Sequence, residues 1–185
     1  ARALTRPGHP GYAKAVLQKL HRLENWSQNY LASMLASVGP EVAPALRDTL
    51  ADTEKSPPVR TVSAEALQKL NDFAAADIAA KIAEHENDCD LVAACIRLLG
   101  RVGRPEHLSV IRKLCDSPEY VLRAHAVRAL GRIGDRKDIE ILRNAFDDSS
   151  QWVAIHAAWG LKTSRGLDVL KEIAASDHYR ATLAQ

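Results

Sequence analysis

Aromatic side chains are scarce in this chain. Phenylalanine, tryptophan and tyrosine together make up 5% of its 185 residues, so its core must be filled by aliphatic groups. Alanine carries much of the 46% apolar share, and alanine with leucine suits helices packed closely together. Cysteine is nearly absent. Cys89, Cys95 and Cys115 are an odd number at no metal-ligand spacing, which excludes a cysteine-ligated metal and fits a reduced, intracellular setting. No charge of one sign dominates, and a net charge of +2 is too small to imply nucleic acid by itself. No apolar run approaches the roughly 20 residues needed to span a bilayer, and there is no signal-peptide core. These absences predict a cytoplasmic chain. It begins with Ala1 and holds one methionine, Met34, which reads as a piece of a longer protein.

What the chain does have is a repeat. Leu35, Leu67, Leu99, Leu130 and Leu161 fall at steps of 32, 32, 31 and 31 residues, and Gly39, Gly103 and Gly134 keep the same register. A fixed period in this range marks a stack of small units, each unable to bury its apolar face alone. In the copy running from Val59 to Leu70, residues Val59, Ser63, Ala66, Leu67 and Leu70 share one arc of a helix, opposite Thr61, Glu65 and Lys69. The same split holds for Leu91–Val102, Leu122–Ile133 and Val153–Thr163, with Ser27–Val38 a weaker first copy. These are the B helices. Shorter amphipathic stretches between them, the A helices, cover Val42–Leu50, Ala75–Ala83, His107–Cys115, Asp138–Phe146 and Leu167–Ala175. Prolines sit near helix starts, where a missing N–H costs little, and Gly39, Gly103 and Gly134 close B helices. No strand-like alternation competes. The fold class is all-α.

The string Val-Arg-x-x-Ser/Ala-Ala-x-Ala-Leu, at Val59–Leu67 and again as Leu122–Leu130, resembles the second helix of HEAT repeats, most closely the short bacterial subclass that includes phycobilisome-lyase-type proteins. An acidic residue closing the A helix and an arginine opening the B helix match as well, as Asp52 with Arg60 and Asp116 with Arg123. Val92 and Ala154 stand where that arginine is expected, so the arginine ladder is incomplete. The resemblance covers about residues 27–175. It implies a right-handed α-solenoid of about five helical pairs, with B helices lining a concave side and the acid–arginine pairs linking neighbouring repeats. Most relatives of this kind are scaffolds or adaptors, and a minority are enzymes.

The enzymatic exceptions are testable on residues. Deoxyhypusine hydroxylases resemble this repeat but place His-Glu pairs after the ladder arginine. Here those positions read Thr61-Val62, Ala93-Ala94, Ala124-His125 and Ile155-His156, and the one His85-Glu86 is out of register. HEAT-like alkylpurine DNA glycosylases put aromatics and a carboxylate in the groove; Trp159 fits the first, but no carboxylate accompanies it. His125 and His156 are equivalent positions on adjacent B helices, which pack about 8–10 Å apart, yet Val62 and Ala94 supply no further ligand, and metals want three or four. Both histidines read as hydrogen-bonded groove residues. No nucleophilic triad or phosphate loop is present. The expectation is no enzyme, no metal and no cofactor.

The outward arc of the B helices forms two rows, Ser33, Glu65, Arg97, Arg128, Trp159 and then Ser37, Lys69, Arg101, Arg132, Thr163. Arg97 with Arg101, and Arg128 with Arg132, are four apart and share a face, where like charges are mildly destabilising. Arginine and tryptophan are frequent interface anchors. A partner-binding face is therefore expected at Arg97, Arg101, Arg128, Arg132, Trp159, Lys69, His125 and His156. Dipole compensation competes for part of it, since B-helix N-terminal loops are acidic and their C-terminal edge basic; it accounts for Arg101 and Arg132 better than for Arg97 and Arg128. Trp26 and Trp152, at the acidic edge, are expected to pack against the preceding A helix.

Residues 1–11 read as a flexible basic lead-in, residues 12–175 as the repeat domain, and residues 176–185 as a tail or the start of a further helix. The first 22 residues carry Arg2, Arg6, Lys14, Lys19 and Arg22 without an acid. They suit either a lead-in to a first A helix at Tyr12–Leu23 or a segment lying beside a membrane anchor. The expected function is a scaffold or adaptor that binds an acidic or extended protein partner on the concave B-helix face. The alternatives are a nucleic-acid binder using the same arginines and a lyase or chaperone acting on a cofactor-bearing protein.

Overall fold

The computed structural model describes residues 27–163, 166–176 and 180–184. Regular structure among them is helical throughout, in ten α-helices and short 3-10 turns. The expected all-α architecture of A and B helices is what forms. The lead-in, the Tyr12–Leu23 helix and Trp26 lie outside the described residues. By contact the chain divides into two compact units, Ala1–Leu98 and Leu99–Gln185.

The first unit contains α1 (Gln28–Ala36), α2 (Ala43–Ala51), α3 (Pro57–Leu70), α4 (Ala76–His85) and the opening of α5 (Cys89–Val102). Pro57 and Pro58 occupy the first turn of α3, where proline's fixed φ is already helical and its missing N–H goes unused. Of the apolar arc read from the sequence, Val59, Ser63, Ala66 and Leu67 of α3 are buried with Leu31 and Leu35 of α1 and Leu46 and Leu50 of α2. Leu70 is only part-buried and Thr61 of the opposite arc is buried too, so α3 buries a wider arc than its apolar pattern marks. Each buried leucine contributes about 1.5–3 kcal/mol on leaving water. This repeat has no glycine at its stop. Asn71 ends α3 instead, in the left-handed conformation with φ 54°, which asparagine tolerates better than other non-glycine residues.

The second unit contains the rest of α5, then α6 (Leu108–Leu114), α7 (Tyr120–Ile133), α8 (Ile139–Ala145), α9 (Gln151–Thr163) and α10 (Leu167–Ala175). Its B helices α7 and α9 pack side by side, each against an A helix. Leu130, Leu142, Phe146, Val153 and Leu161 fill the space between. The two B helices meet backbone to backbone at Gly131 and Gly160, where a Cβ on Gly131 would run into the Cα of Gly160. Small residues Ala126, Ala157 and Ala158 are buried on the same helices, and Ala129 lies against Gly100 of α5. Gly134 ends α7 without a left-handed turn, at φ −68°. Glycine is required there because a Cβ would collide with the Leu130 carbonyl and the Asp138 side chain.

A helices in both units open with a 3-10 turn: Pro40–Val42, Phe73–Ala75, Pro105–His107 and Arg136–Asp138. Two of these turns are locked by a side chain from their last residue. His107 Nδ1 accepts from the Arg104 amide at 3.0 Å, and Asp138 Oδ2 accepts from the Asp135 amide at 2.7 Å. Beyond α10 the described part of the C-terminal segment is a single 3-10 turn, Ala181–Leu183. No described helix is long and apolar enough to cross a membrane.

Candidate functional site

In the first unit the candidate residues are tied down by their own neighbours. Arg97 Nη2 donates to Glu65 Oε1 at 2.8 Å, so the arginine that dipole compensation left unaccounted for is held by an ion pair to the preceding B helix. Gln68 Nε2 donates to the Arg97 carbonyl at 3.1 Å, and Lys69 Nζ donates to Asn29 Oδ1 at 2.9 Å. These contacts join α1, α3 and α5 along one row. Burial pushes the thiol of Cys95, behind that row, up to about 12, and the Cys115 thiol of the second unit likewise up to about 12. Neither is a nucleophile near neutrality.

In the second unit the same rows are open. Arg101, Arg128 and Arg132 are exposed, and among the described residues no carboxylate pairs with Arg128 or Arg132. Trp159 is 65% exposed on α9, at the position equivalent to Arg128 on α7. His125 and His156 are part-buried on the same two helices. Burial lowers the His156 pKa below its ordinary 6.5 and the nearby Arg128 charge lowers it further, so this imidazole is neutral at pH 7. Among the described residues no three histidine, cysteine, aspartate or glutamate side chains gather as a metal would need. Beside Arg132 an open cavity of about 710 Å³ is lined by Arg136, Ile139, Thr163, Asp168 and Val169. The Thr163 hydroxyl donates to the Gly131 carbonyl at 2.8 Å, bridging α9 to α7 at its rim.

At the N-terminal edge of the B helices the arrangement departs from expectation twice. The ladder arginines bond forward to the following repeat. Arg60 does not pair with Asp52; its Nη1 donates to Glu86 at 2.8 Å and its Nε to the Leu50 carbonyl at 3.1 Å. Arg123 likewise reaches Asp148 at 2.7 and 3.0 Å and also donates to the Ser117 and Pro118 carbonyls. The reason is reach, since the next A–B loop lies across the helix start whereas Asp52 turns back to the Glu54 amide. The second departure is Trp152. It does not bury against an A helix but stands 62% exposed, because the buried arc of α9 is filled by Val153, Ala154 and Ala157.

The Arg123 guanidinium holds the Asp148 carboxyl below its ordinary value of 3.8, with burial opposing and the Ser150 amide assisting. A carboxylate depressed in the folded state contributes stability that is present above its unfolded value and lost as pH falls through the folded one. Urea midpoints of the wild type and Arg123→Met are therefore expected to differ most near neutrality and to converge as pH falls from about 5 to about 2. A gap that stays constant over that range would show that the pair contributes nothing through charge.

Residues 77–162 match the family model for HEAT repeats. That stretch carries HEAT repeats. The chain's fold is that of the complex of CpcE and CpcF of phycocyanin lyase from Nostoc sp. PCC7120, with a TM-score of 0.70 at 20% identity over 93% of this chain and 72% of that one. An engineered protein matches with a TM-score of 0.56 at 16% identity over 99% of this chain and 91% of its own. At such identities the likeness is one of fold. No curated protein matches the chain.

A second set of links, absent from the sequence reading, joins two of the A helices to the next B–A corner. Arg47 reaches Asp72 at 2.8 Å, and Arg112 reaches Asp138 at 2.6 Å and Asp135 at 3.4 Å. The spacing of 25 or 26 residues was visible, but nothing in it distinguishes these arginines from solvated ones until the corner geometry is known.

Proposed function

We propose that this chain is a non-enzymatic interaction module that binds an acidic, extended segment of another protein on the outer face of its B helices. Arg128, Arg132 and Trp159 of the second unit form the centre of that face, with Arg101, His125 and His156 around them. Lys69 and Arg97 belong to the first unit, where both charges are already engaged within the fold. The observation that carries the reading is the exposure of Arg128 and Arg132, unmatched by a described carboxylate, on the helix next to an exposed tryptophan. Such a group offers charge and a flat apolar surface together, the combination that recurs among interface anchors.

The test is a labelled glutamate-rich peptide titrated against the chain. Arg128→Glu with Arg132→Glu is expected to weaken binding about tenfold or more, which corresponds to about 1.4 kcal/mol. Arg97→Gln is expected to change affinity by less than about twofold, since its charge is largely balanced by Glu65. Equal affinities for wild type and the double variant would remove this placement.

The likeness to a complex of two lyase subunits supports a second reading, in which the chain serves a lyase or chaperone acting on a cofactor-bearing protein. Incubation with a free chromophore followed by absorbance of the repurified chain separates the two. Retained colour favours the lyase-type role.

A further inference from the structure

We infer that the N-terminal edge of α7 and α9 is a second docking surface, which receives a lysine- or arginine-rich segment of a protein partner. Two aromatic residues mark it. Tyr120 is 48% exposed and Trp152 is 62% exposed. They stand 32 residues apart, at the first and second residues of neighbouring B helices. By register they are one position apart, Tyr120 matching Gln151 and Trp152 matching Val121. Both nonetheless lie in the first turn of neighbouring B helices, and large rings left in water there offer the kind of contact that aromatics supply where partners bind.

Their separation follows from the helix contact. Tyr120 lies eleven residues before Gly131 and Trp152 eight before Gly160, and those glycines face each other. At 1.5 Å per residue the two positions are staggered by about 4.5 Å along helices about 8–10 Å apart. The resulting gap of about 10 Å is the span of about three residues of extended chain. A segment with two cationic side chains at that spacing lays one on each ring face, the geometry of a cation–π contact.

The charge around the rings selects the sign of the partner. Asp116 and Glu119 are exposed, and neither carboxylate has an ion-pair partner among the described residues. Glu119 directly precedes Tyr120 and makes no side-chain bond to the helix start. Two nearby cations are committed, Arg123 to Asp148, Ser117 and Pro118, and Arg180 to the Phe146 and Asp148 carbonyls, while Lys113 is exposed at the end of α6. Dipole compensation accounts for acids at helix starts, but it gives no reason for exposed rings beside them. This edge lies at the opposite end of the B helices from Arg132.

The experiment is fluorescence anisotropy of a labelled hexa-arginine peptide with the full chain, with hexa-glutamate as the control peptide. Saturable binding of hexa-arginine is expected, weakened about tenfold by Trp152→Ala and abolished by Asp116→Lys with Glu119→Lys. Arg128→Glu with Arg132→Glu, which tests the other face, is expected to leave it unchanged. Because Trp152 is exposed, the melting temperature of Trp152→Ala should equal that of the wild type, so loss of binding is not loss of fold. Absence of saturable binding, or binding insensitive to Trp152→Ala, overturns the inference. So does self-association of the chain that Trp152→Ala dissolves, since the occupant is then a second copy.

Discussion

Replacing Gly131 with alanine is expected to destabilise the chain by about 2–3 kcal/mol and to lower its melting temperature by about 4–12 °C. The sign is what makes the measurement decisive. In an exposed helix interior the same change stabilises, by up to about 1 kcal/mol, because alanine loses less backbone freedom on folding. Here the new methyl group has nowhere to go. It meets the Cα of Gly160, a backbone atom that cannot rotate away, so α9 as a whole must move. Val127, Leu130, Val153 and Leu161 then lose part of their burial together. Gly131→Leu is expected to be worse still, and thermal unfolding followed by circular dichroism ranks the three proteins. A melting temperature for Gly131→Ala equal to or above that of the wild type would mean the two helices are not in backbone contact.

That contact marks the limit of what the sequence makes legible. The leucine register follows from helix geometry alone and its leucines are buried. The split into two arcs holds only in part, since Thr61 of the arc read as polar is buried and Leu70 of the apolar one is only part-buried. Helix partners are harder to read, because closeness depends on what faces what across a repeat. Gly131 and Gly160 are 29 residues apart, off the 31-residue step, so their pairing is invisible in an aligned register. Ion pairs fail for a related reason. Arg60 and Asp52 match a family pattern, yet which acid an arginine meets is set by loop position, and the next repeat's Glu86 lies nearer.

The candidate face is half legible for the same reason. Arg97 and Arg128 are equivalent by register, and nothing in their spacing separates them. What separates them is an acid: Glu65 engages Arg97, whereas no described carboxylate pairs with Arg128. Trp152 misled because an aromatic beside an A helix ordinarily buries. At the second position of α9 the core arc begins one residue later, at Val153, and the ring is left outside.

The other large effect is expected at Asp138, which is 1% exposed and serves two masters. One carboxylate oxygen accepts from the Asp135 amide at 2.7 Å and so fixes the turn that opens α8, while the other accepts from Arg112 Nε at 2.6 Å across the repeat boundary. The Arg112 pKa is raised above its ordinary value, first by that hydrogen bond. Asp138→Ala removes both contacts and leaves the part-buried Asp135 amide without its acceptor, a loss of about 2 kcal/mol after allowing for the partial exposure of Arg112. The preceding repeat shows how to separate the two roles. His107 occupies the equivalent position and caps the turn with an imidazole in place of a carboxylate, through Nδ1 on the Arg104 amide at 3.0 Å. Asp138→His is therefore expected to keep the turn and forfeit the ion pair. Asp138→Asn should do likewise with less change of shape, each at about half the cost of alanine. Chemical denaturation of the three variants orders them, and equal losses for histidine and alanine would show that the charge on Asp138, not its capping oxygen, holds this corner of the repeat.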